Sequence, residues 1–371
     1  MKYGFFIIMF AFFLAMFGYV IGRGWQALPT QGYWRQLYAG LSILLFASFF
    51  VALFLGQTMP LGMASAISFA GDTYFLVMIY LLLSFLAADL VRAVNSFVHF
   101  APPGMMTFRF WWLMASFGVI AIALIAGNYK FNHPEVVTLN LETNKPKQGK
   151  ELRIVAVSDL HVGFSIRKKQ LQRYVQMIND QHPDIVLIAG DFFDRAVEPV
   201  VKQKMQEELR NIHAPKGIYA INGNHEFYSG NLKAVDDFYQ SAGVRLLTDN
   251  VALIDSAFYL IGRDDRTNTH RKALKYLTEG LNPALPTILL DHQPHHLEEA
   301  EQNDIDLQIS GHTHEGQFFP GNLIVKREFE QAHGYLRKGK TQYYVSSGLG
   351  IWGPQYRIGT QSELVVINLK Y

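Results

Sequence analysis

Two kinds of hydrophobic patterning divide this chain of 371 residues. In the first third, apolar residues run on without helical or strand periodicity. "YGFFIIMFAFFLAMFGYVIG" (3–22), "LYAGLSILLFASFFVALFL" (37–55), "YFLVMIYLLLSFLAADL" (74–90) and "FWWLMASFGVIAIALIAG" (110–127) each approach the ~20 residues a helix needs to cross a ~30 Å hydrocarbon core. Four transmembrane helices are therefore predicted within residues 1–130. The first run is too long for the apolar part of a signal peptide, no small-residue cleavage site follows it, and more spans come next. Between the second and third runs, "GQTMPLGMASAISFAGD" is short, apolar and contains Gly and Pro; it is expected to lie at the membrane interface or to re-enter.

Charge returns after Lys130. Residues 131–150, ending in the polar "LETNKPKQGK", read as a linker. From Glu151 to Tyr371, short apolar runs alternate with helical segments, which predicts an α/β domain. "LRIVAVSDLH", "DIVLIAGDFFD", "GIYAINGNHE", "PTILLDHQP", "IDLQISGHTHEG", "QYYVSSGLG" and "SELVVINL" are predicted strands or strand ends. "SIRKKQLQRYVQMINDQ" and "EPVVKQKMQEELRNI" are predicted helices, the first with Ser165 as N-cap.

Composition sharpens this division. Half of the residues are hydrophobic and 17% are charged, against about 25% charged in ordinary globular chains. The deficit sits in the first third. A net charge of +2 shows no nucleic-acid footprint. Cysteine is absent, which removes disulfides, thiolate metal sites and a cysteine nucleophile. Trp25, Tyr33 and Trp34 suit a membrane interface, and Asp89 with Arg92 suits an interfacial ion pair. With four spans, Arg23, Arg35, Arg92 and Arg109 fall in the two loops on one face. Lys2, Lys130, Lys145 and Lys147 fall on the other face with the α/β domain. The positive-inside rule then leans toward an extracytoplasmic α/β domain in a multi-pass protein of the cell membrane.

Candidate chemistry collects where strands end. Asp159, His161, Asp191, Asn224, His225, His292, His312 and His314 each follow a predicted strand. In open α/β sheets, sites form outside the carboxyl ends of the strands. Carboxylates, imidazoles and an amide without thiols suit Mn, Fe or Zn better than Mg or Ca. There are more candidate ligands than one ion needs. Two ions ~3.5–4 Å apart can clamp an in-line phosphoryl displacement. In this reading His312 and His314 each reach a different metal.

"SDLHVG", "AGDFFD", "NGNHEFY", "LLDHQP" and "SGHTHEGQ" resemble, in order and spacing, the five motifs of the calcineurin-like metallophosphoesterase superfamily. The closing "SSGLGIWGPQYRIGTQSELVVINL" looks like its membrane-associated branch. The resemblance covers residues 151–371 and implies a two-sheet αββα sandwich. It also implies that Asp159, His161, Asp191 and His314 hold one metal. Asp191 bridges to the second, completed by Asn224, His292 and His312. His225 acts as general acid, and a metal-bridging hydroxide attacks the phosphorus. Some relatives in that wider group hydrolyse UDP-2,3-diacylglucosamine. The expected activity is hydrolysis of a lipid-linked phosphodiester or pyrophosphate, with the bilayer as partner and two divalent ions as cofactors. A nucleotide or cyclic-nucleotide phosphodiesterase, and a non-catalytic membrane sensor or scaffold, are the alternatives.

Other residues stand near these motifs. Arg357 is a candidate phosphate contact, because guanidinium binds phosphate bidentately. Glu315 stands where many membrane-branch relatives have Gly and is expected to face solvent. Asp264 and Asp265 read as a solvated loop, and Asp194 as a local backbone contact. His295 and His296 read as a helix opening and His213 as a helix end. Arg167, Lys168, Lys169 and Arg173 form a basic helical face, read as an ordinary solvated one.

Overall fold

The structure is a computed structural model and describes residues 2–100, 105–145 and 149–371. Lys147 and the side chain of Lys2, both used above for orientation, lie outside the described residues. The chain separates into two compact units, one of residues 1–126 with 353–355 and one of residues 127–352 with 356–371.

The first unit is built from α1 (Lys2–Ala27), α2 (Trp34–Leu55), α3 (Leu61–Val98) and α4 (Met105–Asn132), the last of which continues into the second unit. All four are long and apolar enough to cross a membrane. The third differs from the expectation. Residues 61–72, expected to lie at the interface or to re-enter, are the first turns of a 38-residue helix. Pro60 at the N-cap supplies a fixed φ where no N–H is needed, and the Ala- and Ser-rich sequence after it has no helix breaker strong enough to stop it. Gly71 explains why the small residues are there. A Cβ at Gly71 would lie 2.4 Å from the backbone N of Phe49, so α2 and α3 meet there backbone to backbone. Aromatic pairs, Phe17 with Phe46 and Phe49 with Phe75, fill the space around this contact.

The second unit has twelve strands: β1 (Glu135–Glu142), β2 (Glu151–Val157), β3 (Ile185–Ala189), β4 (Ile218–Ile221), β5 (Arg245–Leu246), β6 (Asn250–Ile254), β7 (Phe258–Gly262), β8 (Thr287–Leu290), β9 (Leu307–Ser310), β10 (Gly334–Lys338), β11 (Thr341–Val345) and β12 (Glu363–Lys370). They form two six-stranded sheets, ordered β1-β12-β2-β3-β4-β5 and β10-β11-β9-β8-β7-β6. Side chains alternate across a strand, and β2 shows the consequence. Ile154 and Ala156 enter the core between the sheets. Val155 and Val157 enter a second core shared with Leu171 and Tyr174 of the helix α5 (Lys168–Asn179). A strand buried on both faces reads as an unbroken apolar run. Helices therefore cover both outer faces, and the architecture is an αββα sandwich.

Residues 131–150 are not a linker throughout. β1 lies within them and pairs in parallel with β12, from Glu135 opposite Glu363 to Glu142 opposite Lys370. Val137, Leu139 and Leu141 alternate with exposed Val136, Thr138 and Asn140 to make a half-buried edge strand. Phe131 is buried in the core beneath α5, so this unit begins before Glu151. Ser165 is not the cap of α5. Ile166 turns into the core instead, and the helix starts two residues later, with Arg167 as N-cap. The predicted helix "EPVVKQKMQEELRNI" is two short helices (Glu198–Lys202, Gln206–Leu209), parted at Lys204, whose φ is 53°.

Candidate metal centre

β2, β3 and β4 run parallel in one sheet, and β7, β8, β9 and β11 run parallel in the other. Their carboxyl ends carry the eight residues singled out above. Asp159, His161 and His314 bring ligand atoms within 4.8 Å of one another; so do Asp191, His292 and His312, and so do His161, Asp191 and His225. Asp191 belongs to two of these groups. His292 Nε2 lies 3.2 Å from Asp191 Oδ2, and His314 Nε2 lies 3.3 Å from Asp159 Oδ1. His161 Nε2 is 3.7 Å from Asp191 Oδ2 and 3.1 Å from His314 Nε2.

The backbone is bent to achieve this. Asp159, His161, Asp191, His312 and His314 all have φ between 46° and 71°. Non-glycine residues rarely take this region, and such strain clusters at functional sites. Two glycines let the loops close. A Cβ at Gly311 would lie 2.3 Å from Asp159 Oδ2, and one at Gly223 would lie 2.2 Å from Asp191 Oδ1.

The groups fit cations. Asn224 Oδ1, His161 Nδ1, His292 Nε2 and His314 Nδ1 are buried and have no hydrogen-bond partner. A buried polar atom left unpaired is costly, and a bound ion would satisfy Asn224 Oδ1 and His292 Nε2; His161 and His314 face the cluster with Nε2. His292 Nδ1 donates to the carbonyl of Ala189 at 2.7 Å, which turns Nε2 toward Asp191, where loss of its proton would free a lone pair for an ion.

Charge follows from burial and neighbours. Burial, then His225, holds His161 well below the usual imidazole range. Burial and His161 do the same to His314. Burial and His292 lower His312 to about 4. Burial opposes charge on Asp191 and on His292, but each outweighs it for the other: Asp191 is held well below the carboxylate range and His292 well above the imidazole range. That proton sits where a cation would replace it. Burial raises Asp159 to about 6.

His225 is half-buried, and its ring stands 4.5 Å from that of His161. Its backbone N–H donates to Asp191 Oδ1 at 2.9 Å, and its Nδ1 donates to the carbonyl of Asp194. Nε2 is the ring nitrogen left over, and His225 also stands in a ligand group with His161 and Asp191. Burial opposes its charge, but Asp191 and Asp194 raise its pKa overall.

A family profile described as calcineurin-like phosphoesterase matches residues 152–316, which include all eight of these residues. The chain is 34% identical over 260 residues to an uncharacterized metallophosphoesterase of Campylobacter jejuni, covering 68% of each chain. The chain belongs to the calcineurin-like phosphoesterase family. It is 34% identical over 232 residues to an uncharacterized metallophosphoesterase of Helicobacter pylori, covering 61% of that protein. It is 28% identical over 366 residues to a zebrafish (Danio rerio) protein named transmembrane protein with metallophosphoesterase domain, covering 94% of this chain and 83% of that one.

Around this calcineurin-like site the structure corrects several expectations. Arg357 is not a phosphate contact. It is fully buried, and it donates to the carbonyls of His314 (2.8 Å), Ser347 (2.7 Å), Gly348 (3.1 Å) and Gly350 (2.8 Å) and to Ser362 Oγ (3.1 Å). It positions the His314 turn. Glu315 does not face solvent; it turns toward His333, 3.8 Å away. Asp264 and Asp265 are buried, not solvated. Asp264 accepts from Asn222 Nδ2 at 3.1 Å, and Asp265 accepts from Gln293 Nε2 at 2.9 Å, so they hold the residues beside Asn224 and His292.

Glu226 escaped the sequence reading altogether. It is fully buried and accepts from the backbone N–H groups of Asp191, Phe192, Phe193 and Gly223. One carboxylate thus joins the β3 and β4 loops. Burial, then Asp191, pushes it up to about 7. Its signal was present: a Glu three residues after an N-cap is a capping-box residue. Asp264 and Asp265, directly after β7, had the same strand-end placement as the candidate ligands.

Proposed function

We propose that this protein is a membrane-anchored, metal-dependent hydrolase of a phosphodiester or pyrophosphate, with a lipid-linked substrate. The observation that carries the hydrolytic reading is Asp191, shared between two groups of buried ligands and hydrogen-bonded to the backbone of His225. Asp159, His161 and His314 would hold one divalent ion. Asn224, His292 and His312 would hold a second, with Asp191 common to both. The donor set suits Mn, Fe or Zn. When bound, such ions supply Lewis acidity at phosphoryl oxygens and lower the pKa of water.

The protein's own groups do the rest. Backbone strain and the Gly223 and Gly311 contacts hold the ligands in place before any ion arrives. His225 keeps Nδ1–H on the Asp194 carbonyl and presents Nε2, which can give a proton to the leaving oxygen. The complete ligand set favours turnover over a scaffold role. Four membrane-length helices support a substrate held in the bilayer, because one helix is enough for anchorage. The positive-inside pattern supports an extracytoplasmic metal site.

The test is hydrolysis by purified full-length protein with Mn, before and after chelation. Substrates are bis-p-nitrophenyl phosphate, UDP-2,3-diacylglucosamine and cyclic nucleotides. Turnover of the lipid substrate at the highest kcat/KM supports the reading. Preference for cyclic nucleotides replaces its substrate class, and full activity after chelation overturns its mechanism.

A further inference from the structure

A helix at Gly321–Glu328 follows the His312–His314 turn and buries none of its residues. Leu323 is 54% exposed and Ile324 63%, and Phe319, two residues before the helix, is 49% exposed. At about 3.6 residues per turn, Leu323, Ile324 and Arg327 share one exposed face. Lys326 and Arg327 outnumber Glu328, the helix's one acid. A cluster of exposed apolar side chains rimmed by charge marks a contact surface.

Its anchorage shows what covers it. Residues 110–129 of α4 carry no charge, and about 20 such residues cross the hydrocarbon core, so the core ends near Lys130. Gly127 stands about one turn inside that boundary, and from Gly127 onward α4 belongs to the α/β unit. The Gly127 carbonyl accepts from the N–H of Arg357 at 3.0 Å, and a Cβ at Gly127 would lie 2.7 Å from Ile358 Cγ1. The Ile358 carbonyl in turn accepts from the N–H of Phe319 at 2.8 Å. Phe319 is therefore two contacts from the end of a membrane-length helix, and Leu323 and Ile324 follow it directly.

We propose that the helix Gly321–Glu328 lies in the bilayer interface, with Phe319, Leu323 and Ile324 set into the boundary between headgroups and acyl chains. Arg327 and Lys326 reach back along their apolar stems to headgroup phosphates. Two turns of helix bind a lipid surface weakly by themselves, but the anchorage at Gly127 makes the contact intramolecular. The same helix borders the metal centre. A Cβ at Gly316 would lie 2.3 Å from the backbone N of Asn322, so the helix starts against the His314 turn. Phe329, the buried residue after the helix, has its ring 6.1 Å from that of His312. The lipid surface is thereby brought to the edge of the metal centre.

The proposal rests on α4 as a membrane span and not on the phosphoesterase reading, and its test uses no activity. The chain has no cysteine, so single labels are unambiguous. Leu323→Cys, Ile324→Cys and a control, Leu253→Cys, are labelled with an environment-sensitive fluorophore in the full-length protein. Leu253 is 49% exposed on the edge strand β6. Each protein is placed in phosphatidylglycerol nanodiscs with and without lipid that carries a nitroxide near its headgroup. The labels at positions 323 and 324 are expected to emit at shorter wavelength and to lose intensity to the nitroxide, and the label at 253 to do neither. Labels at 323 and 324 quenched no more than the one at 253 overturn the proposal. A shift to shorter wavelength without quenching shows a protein contact, such as a second copy of the chain, and overturns lipid as the occupant. An inactive protein gives the same readings, so failure of the phosphoesterase reading is told apart from failure of this one.

Discussion

Asp191 holds His225 by the backbone: the N–H of His225 donates to Asp191 Oδ1 at 2.9 Å, while Asp191 Oδ2 faces His292 Nε2 at 3.2 Å. One carboxylate therefore connects candidate metal ligands to the candidate proton donor. Asp191→Asn replaces one anionic oxygen by an amide that cannot serve both neighbours. It is expected to lower the bound metal below two ions per chain and to abolish hydrolysis. Elemental analysis of purified protein, alongside the assay, checks both. Two ions with normal turnover in this variant would remove Asp191 from the centre.

His225 has no role as a ligand in this scheme. His225→Ala should keep its metal and slow substrates with poor leaving groups most, because a leaving group of low pKa needs less protonation. A series of aryl phosphodiesters of graded leaving-group pKa gives the slope. An equal loss across the series would reduce His225 to positioning the phosphate.

Metal binding should depend on pH through Asp159. Burial raises its carboxyl to about 6, so below that pH the free site holds a proton that an ion must displace. Affinity is expected to fall as pH falls throughout, because the ion displaces the His292 proton, and to fall more steeply below about 6, where Asp159 is protonated as well. His312 is lowered to about 4 and stays neutral through this window, so it adds no slope above pH 5. Calorimetric titration with Mn at pH 5, 6, 7 and 8 measures the curve. A slope between pH 5 and 6 no steeper than that above 7 would show that Asp159 does not compete with the ion.

Glu226 should matter more to stability than its distance from chemistry suggests. Glu226→Ala leaves four buried backbone N–H groups without their acceptor. The expected cost is on the order of 3 kcal/mol or more. Thermal unfolding of the metal-free variant separates this from lost metal binding. A melting temperature unchanged from wild type would mean that water replaces the carboxylate.

Truncation tests where the α/β unit begins. A chain starting at Glu151 lacks β1 and Phe131, exposing the edge of β12 and part of the core beneath α5. It is expected to aggregate, whereas one starting at Gly127 should fold. The longer piece should keep its kcat/KM on a small soluble diester and lose efficiency on lipid in micelles. Equal ratios on both substrates would leave the membrane helices as a passive anchor.

By itself, the sequence determined the elements and the chemistry. Apolar runs of membrane length mark four helices, because a bilayer demands length and apolarity and little else. Polar residues directly after buried strands mark Asp159, His161, Asp191, Asn224, His225, His292, His312 and His314, because strand ends are where a parallel sheet opens. Tertiary structure alone decided which polar residues face a ligand and which hold the loops. Arg357 has the side chain of a phosphate binder, yet each of its three guanidinium nitrogens is turned onto a carbonyl or a hydroxyl of the fold. Glu226, Asp264 and Asp265 are charged residues in loop sequence, yet buried N–H donors draw them inward. β1 was misread because a half-buried edge strand needs its partner β12, 220 or more positions away, before alternation becomes structure. Patterns of burial and length are local properties of a chain; the partner of a buried hydrogen bond is not.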